Sequence, residues 1–165
     1  MTLRFLVFRV SDKNFALPLD AVGGVLPLPV LDRPPHLPQV IGGFFSLRGR
    51  TTSVLRLDRL LGLPGPEEPD FYAPLILLRP GVPETGTGPV ALLADKVRSV
   101  REIPEASVLP LSDAAIFNGC VVATLGGLAP TAHVLAPDRL LLEREQRCLA
   151  EHRALAERRL ADLTG

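Results

Sequence analysis

Short apolar runs, each bounded by turn-forming residues, recur along the first 137 residues of the chain. All 17 prolines, and all but one of the 14 glycines, lie in this part. Because proline removes a backbone donor and clashes with the preceding helical turn, such spacing excludes long helices. The runs therefore predict short strands, and many short strands in one chain predict a β-barrel or a β-sandwich. The clearest runs are residues 3–10, 15–19, 52–57, 75–78, 90–94 and 120–125.

A weak internal repeat divides the strand-rich part into two similar halves. Residues 5–8 match residues 75–78 at an offset of 70, and residues 20–25 match residues 95–100 at an offset of 75. Gly43 matches Gly119 at an offset of 76, and residues 58–61 match residues 138–141 at an offset of 80. Offsets that grow along the chain are typical of a duplication with loop insertions. We therefore expect two β-lobes, over about residues 1–63 and 72–137, joined by the proline-rich acidic connector 63–70.

The pattern becomes helical after Pro137, because neither proline nor glycine occurs again before Gly165. Apolar residues recur at helical spacing and predict an amphipathic helix over 138–163, about 39 Å long, with Asp138 at its start. Two arrangements stay open. The helix lies flat across the lobes, or its distal half projects and pairs with a partner helix or a second copy. The residues of that possible helix interface are Leu149, Leu155, Ala156, Leu160 and Leu163.

Charge and composition narrow the classes of function. Lysine plus arginine (18) equals aspartate plus glutamate (18), and a chain without basic excess is a poor nucleic-acid binder. No apolar stretch reaches the roughly 18 residues of a membrane span, so we expect no direct membrane insertion. The first ten residues resemble a strand more than a signal peptide. The two cysteines, Cys120 and Cys148, lack metal-ligand spacing. We therefore expect a soluble cytoplasmic protein.

No catalytic constellation is visible in the sequence. The histidines, His36, His133 and His152, lie in different contexts, and no serine, cysteine or acid sits in a nucleophile motif. Neither glycine pair opens a helix as a phosphate-binding loop would. The sequence predicts neither a catalytic site, nor a cofactor, nor a metal. An enzyme or small-molecule binder on the same scaffold stays open as an alternative, because fold does not determine function.

The segment Leu47-Arg48-Gly49 follows the apolar stretch 40–45, at an expected strand-to-turn transition. An arginine at such a corner can anchor the turn by donating to backbone carbonyls. It can equally present its guanidinium to a carboxylate of a partner. Position alone does not separate the two roles.

These motifs, taken in order, resemble the CheW-like domain family. The family's first hairpin is similar to residues 5–19, its recurring V-x-x-V to Val22 and Val25, and its L-R-G signature to residues 40–49. Later segments of the family resemble residues 57–62, 93–97 and 138–141. The resemblance covers about residues 3–142. It implies a mainly β fold: two five-stranded SH3-like barrels on a shared core, in a domain over residues 1–142, followed by the C-terminal helix.

The resemblance also implies a function. Family members are non-enzymatic chemotaxis adaptors that couple the cytoplasmic tips of chemoreceptors to the regulatory domain of a CheA-type histidine kinase. They act by binding alone, and this chain would then be recruited to membrane-bound receptor arrays. Carried over onto this sequence, the receptor-binding positions are Arg48, Gly43 and Val22, with Leu47 and Gly49 beside the arginine. The kinase contact uses exposed barrel ends.

This chain departs from the family at several of these positions. Gly24 stands where the family commonly has an acid that supports the signature arginine, and Ser46 replaces its asparagine. In the next strand, Ser53 and Arg56 replace the usual proline and aspartate. An alternative is therefore a divergent scaffold of a motility or pilus-linked chemosensory system. Such a scaffold would self-associate or bind another protein through its C-terminal helix.

Overall fold

Strands are the main regular structure in the computed structural model, which describes residues 1–79, 89–111, 116–127, 131–140 and 143–164. The first half contains β1 (Thr2–Val10), β2 (Lys13–Pro18), β3 (Val22–Pro27), β4 (Ile41–Leu47), β5 (Arg50–Arg56) and the single-turn helix α1 (Leu57–Leu60). The second half contains β6 (Pro74–Leu78), β7 (Val90–Leu93), β8 (Lys96–Pro104), β9 (Val108–Pro110), β10 (Val121–Leu125), β11 (Ala132–Leu135) and α2 (Glu143–Thr164). The 3-10 turns are Leu19–Ala21, Glu105–Ser107, Ile116–Gly119 and Pro137–Arg139. The mainly β fold with a C-terminal helix is therefore confirmed.

The strands form two sheets, and each sheet takes strands from both halves of the chain. The six-stranded sheet has the order β8-β1-β2-β11-β10-β9, and the five-stranded sheet has the order β3-β6-β7-β5-β4. The predicted lobe boundaries, about 1–63 and 72–137, therefore do not coincide with the sheets. The hairpins β1-β2 and β6-β7 have exchanged places. Residues 5–8 of β1, residues 15–17 of β2 and the whole of β6 and β7 are apolar and mostly buried, and strands buried on both faces need central places in a sheet.

The strand registers confirm the internal repeat. Val22 pairs with Leu78 between β3 and β6, and Val97 pairs with Phe8 between β8 and β1. The step from Val22 to Val97 is the offset of 75, and the step from Phe8 to Leu78 is the offset of 70. A β-bulge follows both pairs at the same step. Between β4 and β5, Ile41 pairs with Leu55, and the pair 80 residues later, Val121 with Leu135, lies between β10 and β11. Five strands of the six-stranded sheet thus have an equivalent in the five-stranded sheet, and β9 is the additional strand.

The match of Gly43 to Gly119 was wrong. Gly43 pairs with Val54, and the equivalent ladder places Ala123 opposite Val134. Gly119 lies in a 3-10 turn before β10 begins. Both glycines lie near the start of equivalent strands, which had suggested the match, but the strand pairing makes Ala123 the equivalent of Gly43.

The main core lies between the two sheets and draws side chains from both. Phe8 and Phe15 of the six-stranded sheet and Phe44, Leu55 and Leu92 of the five-stranded sheet are all fully or almost fully buried in it. Two smaller apolar clusters lie on the other faces, one for each sheet. Each sheet is therefore covered on both faces, which explains the near-continuous apolar strands.

The C-terminal helix begins later than predicted. Asp138 lies in the single 3-10 turn Pro137–Arg139, whereas α2 begins at Glu143. Residues 141–142 lie outside the described part of the chain. The helix packs against β4 and β5, and Ala156 is fully buried in the main core. The flat arrangement is thus the correct one around Ala156, because a small side chain lets the helix approach the sheet closely. The alternative of a projecting distal half does not apply there.

Candidate partner-binding surfaces

The turn between β4 and β5 displays the signature arginine. Leu47 pairs with Arg50, so Arg48 and Gly49 form a two-residue hairpin loop. Their φ angles are 52° and 80°. Positive φ at both loop residues is typical of a type I′ turn, whose twist matches that of the strands. Glycine adopts this conformation freely, whereas for arginine it is uncommon and often accompanies a functional site.

Arg48 is exposed, and no hydrogen bond or ion pair joins it to another described residue. The surroundings of Arg48 therefore do not favour the first of its two possible roles, in which it would anchor the turn by donating to backbone carbonyls. The guanidinium is available to a carboxylate from outside the chain. Arg50, the residue that closes the loop, is exposed in the same way.

Helix α2 supports this hairpin from one side. Arg153 Nε and Nη2 both donate to the Thr51 backbone oxygen at 3.4 Å, and Arg153 also pairs with Glu157 at 3.3 Å. Arg159 pairs with the Asp32 carboxylate at 2.9 Å. Between hairpin and helix lies a groove of about 570 Å³, which we call the hairpin–helix groove. It is lined by Ser46, Gly49, Arg50, Thr51, Arg153, Glu157, Leu160 and Ala161.

Gly43 is not part of this surface. It is buried at φ +146°, and a Cβ there would lie 2.8 Å from the Leu31 Cβ and 3.0 Å from the Asp32 backbone oxygen. Its absent side chain lets the segment around Asp32 lie on β4, where Asp32 and Phe44 exchange backbone hydrogen bonds of 2.7 and 2.9 Å. The prediction of a partner contact at Gly43 is corrected to a packing role, because the position is buried.

Val22 is half-buried on β3, where it packs against the main core. β3 and β4 are the two ends of the five-stranded order, so no ladder connects Val22 with the Arg48 turn. The structure therefore brings Leu47, Arg48 and Gly49 together and leaves Val22 on a separate edge strand.

The proposed interface of α2 is only partly exposed. Leu155 is 41% exposed, but Ala156 is completely buried and Leu160 is half-buried beside the groove. The side chains of Leu149 and Leu163 lie outside the described part. Ala156 is therefore not available to a second helix while α2 is docked. This corrects its predicted interface role.

A buried ion pair marks the opposite end of β5. Arg56 Nε and Nη2 donate to the two carboxylate oxygens of Asp58 at 3.2 and 2.7 Å, and both side chains are only 10% exposed. The same guanidinium donates to the backbone oxygens of Glu67 at 2.7 Å and Pro66 at 2.6 Å. A Cβ on Gly65 would overlap the Asp58 carboxylate. The ion pair thus fastens the acidic connector to the end of the strand.

Two aromatic residues project where this connector ends. Phe71 is 81% and Tyr72 is 87% exposed, and their rings meet edge to face at 5.5 Å. Asp70 orders the turn, since its Oδ1 accepts from the Tyr72 backbone nitrogen at 2.9 Å. Exposed, pre-organised aromatic residues are typical of interface hot spots. The pair was not predicted from the sequence, although adjacent aromatic residues are conspicuous in a chain with seven phenylalanines and one tyrosine.

His133 lies among aromatic rings. His133 packs against the rings of Phe15 and Phe117, with centroid distances of 6.0 and 5.1 Å. Burial lowers the pKa of His133 below its usual value of 6.5, and the nearby positive charge of Lys13 lowers it further. Among the described residues no group of three or more histidine, cysteine or acidic side chains could hold a metal ion. No described helix is long and apolar enough to cross a membrane.

Comparisons with known proteins agree on one family. The model of the CheW-like domain matches residues 4–143. Protein FrzA of Myxococcus xanthus is 32% identical over 149 residues, which cover 88% of this chain and 89% of FrzA. The crystal structure of the scaffolding protein TtCheW from Thermoanaerobacter tengcongensis has a similar fold, with a TM-score of 0.74 at 20% identity. That match covers 85% of this chain and 92% of TtCheW.

Proposed function

The chain belongs to the CheW-like domain family, and from this premise we propose that it is a non-enzymatic adaptor that couples chemoreceptors to a histidine kinase. Family membership supports the coarser statement, a CheW-like scaffold in chemosensory signalling. The coupling itself is our proposal. In this role the chain works in the cytoplasm, where membrane-bound receptor arrays recruit it.

The observation that carries the proposal is the presence of two exposed surfaces at opposite ends of β5. The Arg48 turn precedes the first residue of the strand, and the ion pair that fastens the connector includes its last residue. Seven residues of extended chain span about 20 Å. The Arg48 turn and the fastened connector thus lie at the two ends of one strand, which fits an adaptor that binds two proteins at once.

We assign the receptor to the Arg48 turn. Its guanidinium is exposed and lacks a partner among the described residues, and a two-residue loop holds it away from the sheet. Arginine binds carboxylates through two parallel hydrogen bonds, which gives orientation as well as affinity.

We assign the kinase to the aromatic pair, Phe71 and Tyr72. Together the two rings offer the large apolar contact that a stable interface concentrates near its centre. The connector that bears them is fastened by Arg56, so little conformational entropy is lost on binding. The nearby acid Glu67, which is exposed, favours a partner surface with a basic rim.

A binary binding measurement tests the receptor assignment. Arg48→Ala should weaken binding of a chemoreceptor tip fragment from the same genome by about tenfold or more, as expected for a lost charged contact. Arg101→Ala, which removes an exposed arginine from β8, is the matched control and should change the affinity by less than about twofold. Full receptor binding by Arg48→Ala, or none by the unaltered chain, would refute the receptor assignment.

A further inference from the structure

The hairpin–helix groove combines a basic rim with an apolar wall. Arg50 lies on its hairpin side and is exposed, with Arg48 next to it at the tip of the loop. Leu160 and Ala161 lie on its helix side. Among the described residues that line the groove, the one acid is Glu157, and its carboxylate is already bound to Arg153 at 3.3 Å. The groove therefore carries an excess of positive charge.

We propose that this groove binds an acidic amphipathic segment of a partner protein, with α2 as one wall of the site. The carboxylates of that segment pair with Arg48 and Arg50, and its apolar side chains rest on Leu160 and Ala161. The inference deepens the proposed function and depends on it for one point, namely that the partner is the receptor. It assigns to α2 a role in selecting that partner.

Charge complementarity identifies the occupant as acidic. Two exposed arginines, separated by one glycine at a hairpin tip, repel each other and attract carboxylates. A basic segment would add repulsion at the rim, and a purely apolar one would cover both guanidinium groups without pairing them. A segment with carboxylates on one face and apolar side chains on the adjacent face matches both the arginines of the hairpin and the apolar residues of α2.

The helix wall is held in place before the partner arrives. Ala156 is fully buried in the main core, Arg153 donates to the Thr51 backbone oxygen, and Arg159 pairs with Asp32. These contacts fasten α2 to both the hairpin and the segment that covers β4. A rigid wall lowers the entropy lost on binding. A substitution at the exposed Ala161 should therefore change affinity without changing the fold.

The test uses two synthetic peptides and three variants. One peptide carries glutamate and leucine at helical spacing, and the other carries lysine in place of glutamate. Titration is followed by NMR shifts of backbone amides at low ionic strength, where charge pairing is least screened. The acidic peptide should shift the amides of Ser46, Gly49, Arg50 and Ala161, and the lysine peptide should shift none of them.

The variants separate the two walls. Arg50→Glu should weaken binding of the acidic peptide by about tenfold or more, because it replaces an attraction by a repulsion. Ala161→Glu should weaken it by about threefold or more through the same repulsion at the helix wall. Ala154→Glu introduces the same charge on an exposed alanine two turns earlier, outside the groove, and should leave the affinity within about twofold. Circular dichroism checks that each variant keeps its fold.

The inference and the proposed function fail in different ways. If the acidic peptide shifts no groove amide, or if Ala161→Glu and Ala154→Glu behave alike, α2 is not a wall of the site. The receptor assignment survives that result if Arg48→Ala still loses the receptor fragment. If the peptide binds as expected but no receptor fragment does, the groove is correct and its partner is a different acidic protein.

Discussion

The two repeats share a strand skeleton but differ beyond it. Phe45 pairs with Thr52 in the first repeat, and the equivalent pair in the second, Leu125 with Ala132, is the last that the described residues of its hairpin form. The β4-β5 ladder continues for two more pairs, to Leu47 and Arg50. These extra pairs carry the Arg48 turn and the strip against which α2 packs.

A second difference lies after the last strand of each repeat. Arg56 ends β5, whereas the residue 80 positions later is Ala136, which cannot form an ion pair. The buried pair with Asp58 therefore belongs to the first repeat, and it fastens the connector that ends in the aromatic pair. The comparison indicates that the shared skeleton forms the core and that its departures from symmetry form the exposed surfaces.

The largest expected effect comes from removing the ion pair. Arg56→Ala should lower the free energy of unfolding by about 3–5 kcal/mol, because it leaves the Asp58 carboxylate buried without its partner. The control is Arg59→Ala, whose guanidinium makes only longer contacts to the connector, 3.3 Å to the Gly65 oxygen and 3.2 Å to the Pro66 oxygen. It should cost about 1 kcal/mol or less by denaturant unfolding. Equal costs would show that the pair is not what stabilises this end of β5.

The next effect distinguishes Gly43 from its equivalent, Ala123. Gly43→Ala should destabilise the fold by about 2–4 kcal/mol, since the new Cβ overlaps Leu31 and the backbone is left-handed there. Gly42→Ala is the control, because its nearest neighbours would be at 3.4 Å, an ordinary contact distance. Thermal unfolding compares the two variants. A tolerated Gly43→Ala would mean that the segment around Asp32 does not lie tightly on β4.

A smaller effect tests the docking of α2, which has no counterpart in the first repeat. Ala156→Leu should cost about 1–3 kcal/mol, because a larger side chain overfills a fully buried site. Leu155→Ala, at a 41% exposed position, should stay within about 0.5 kcal/mol. Amide hydrogen exchange in α2 should rise in the first variant alone. Unchanged exchange in Ala156→Leu would argue that the helix is not docked at this residue.

The smallest effect is a pH dependence in the second repeat. Burial holds the pKa of folded His133 below its usual value of 6.5, so the unfolded chain binds the proton more readily. His133 therefore costs no stability above about pH 6.5, the usual pKa that it has in the unfolded chain. The free energy of unfolding falls as the pH decreases below that pKa. His133→Phe should reduce this slope between pH 7 and 5 in urea titrations. A slope that is identical with and without the histidine would contradict the assignment.

The duplication could be predicted from sequence because several of its matches lie in equivalent strands. Val22 and Val25 of β3 recur at one constant offset as Val97 and Val100 of β8, and the ladders reproduce that offset. The exchange of hairpins could not be predicted this way. Local periodicity indicates that a segment is a strand and which face is buried, but not which strand lies beside it.

The binding surfaces were predictable only in part. Arg48 was identified from a short motif, and its exposure agrees with a contact role. Gly43 came from the same motif, yet packing against Leu31 explains it, since a sequence does not show which loop covers a strand. Arg56 and Asp58 are two residues apart, but their pairing depends on the bend from β5 into α1.

The central claim is that the two ends of β5 bind two partners at the same time, and a three-component binding experiment tests it most directly. The chain is mixed with a chemoreceptor tip fragment and a kinase regulatory domain, and the complexes are resolved by analytical ultracentrifugation. We expect a ternary complex with the unaltered chain. Arg48→Ala should lose only the receptor, and Phe71→Ser combined with Tyr72→Ser should lose only the kinase. Competition between the partners for the unaltered chain, or loss of both partners from either variant, would contradict the account.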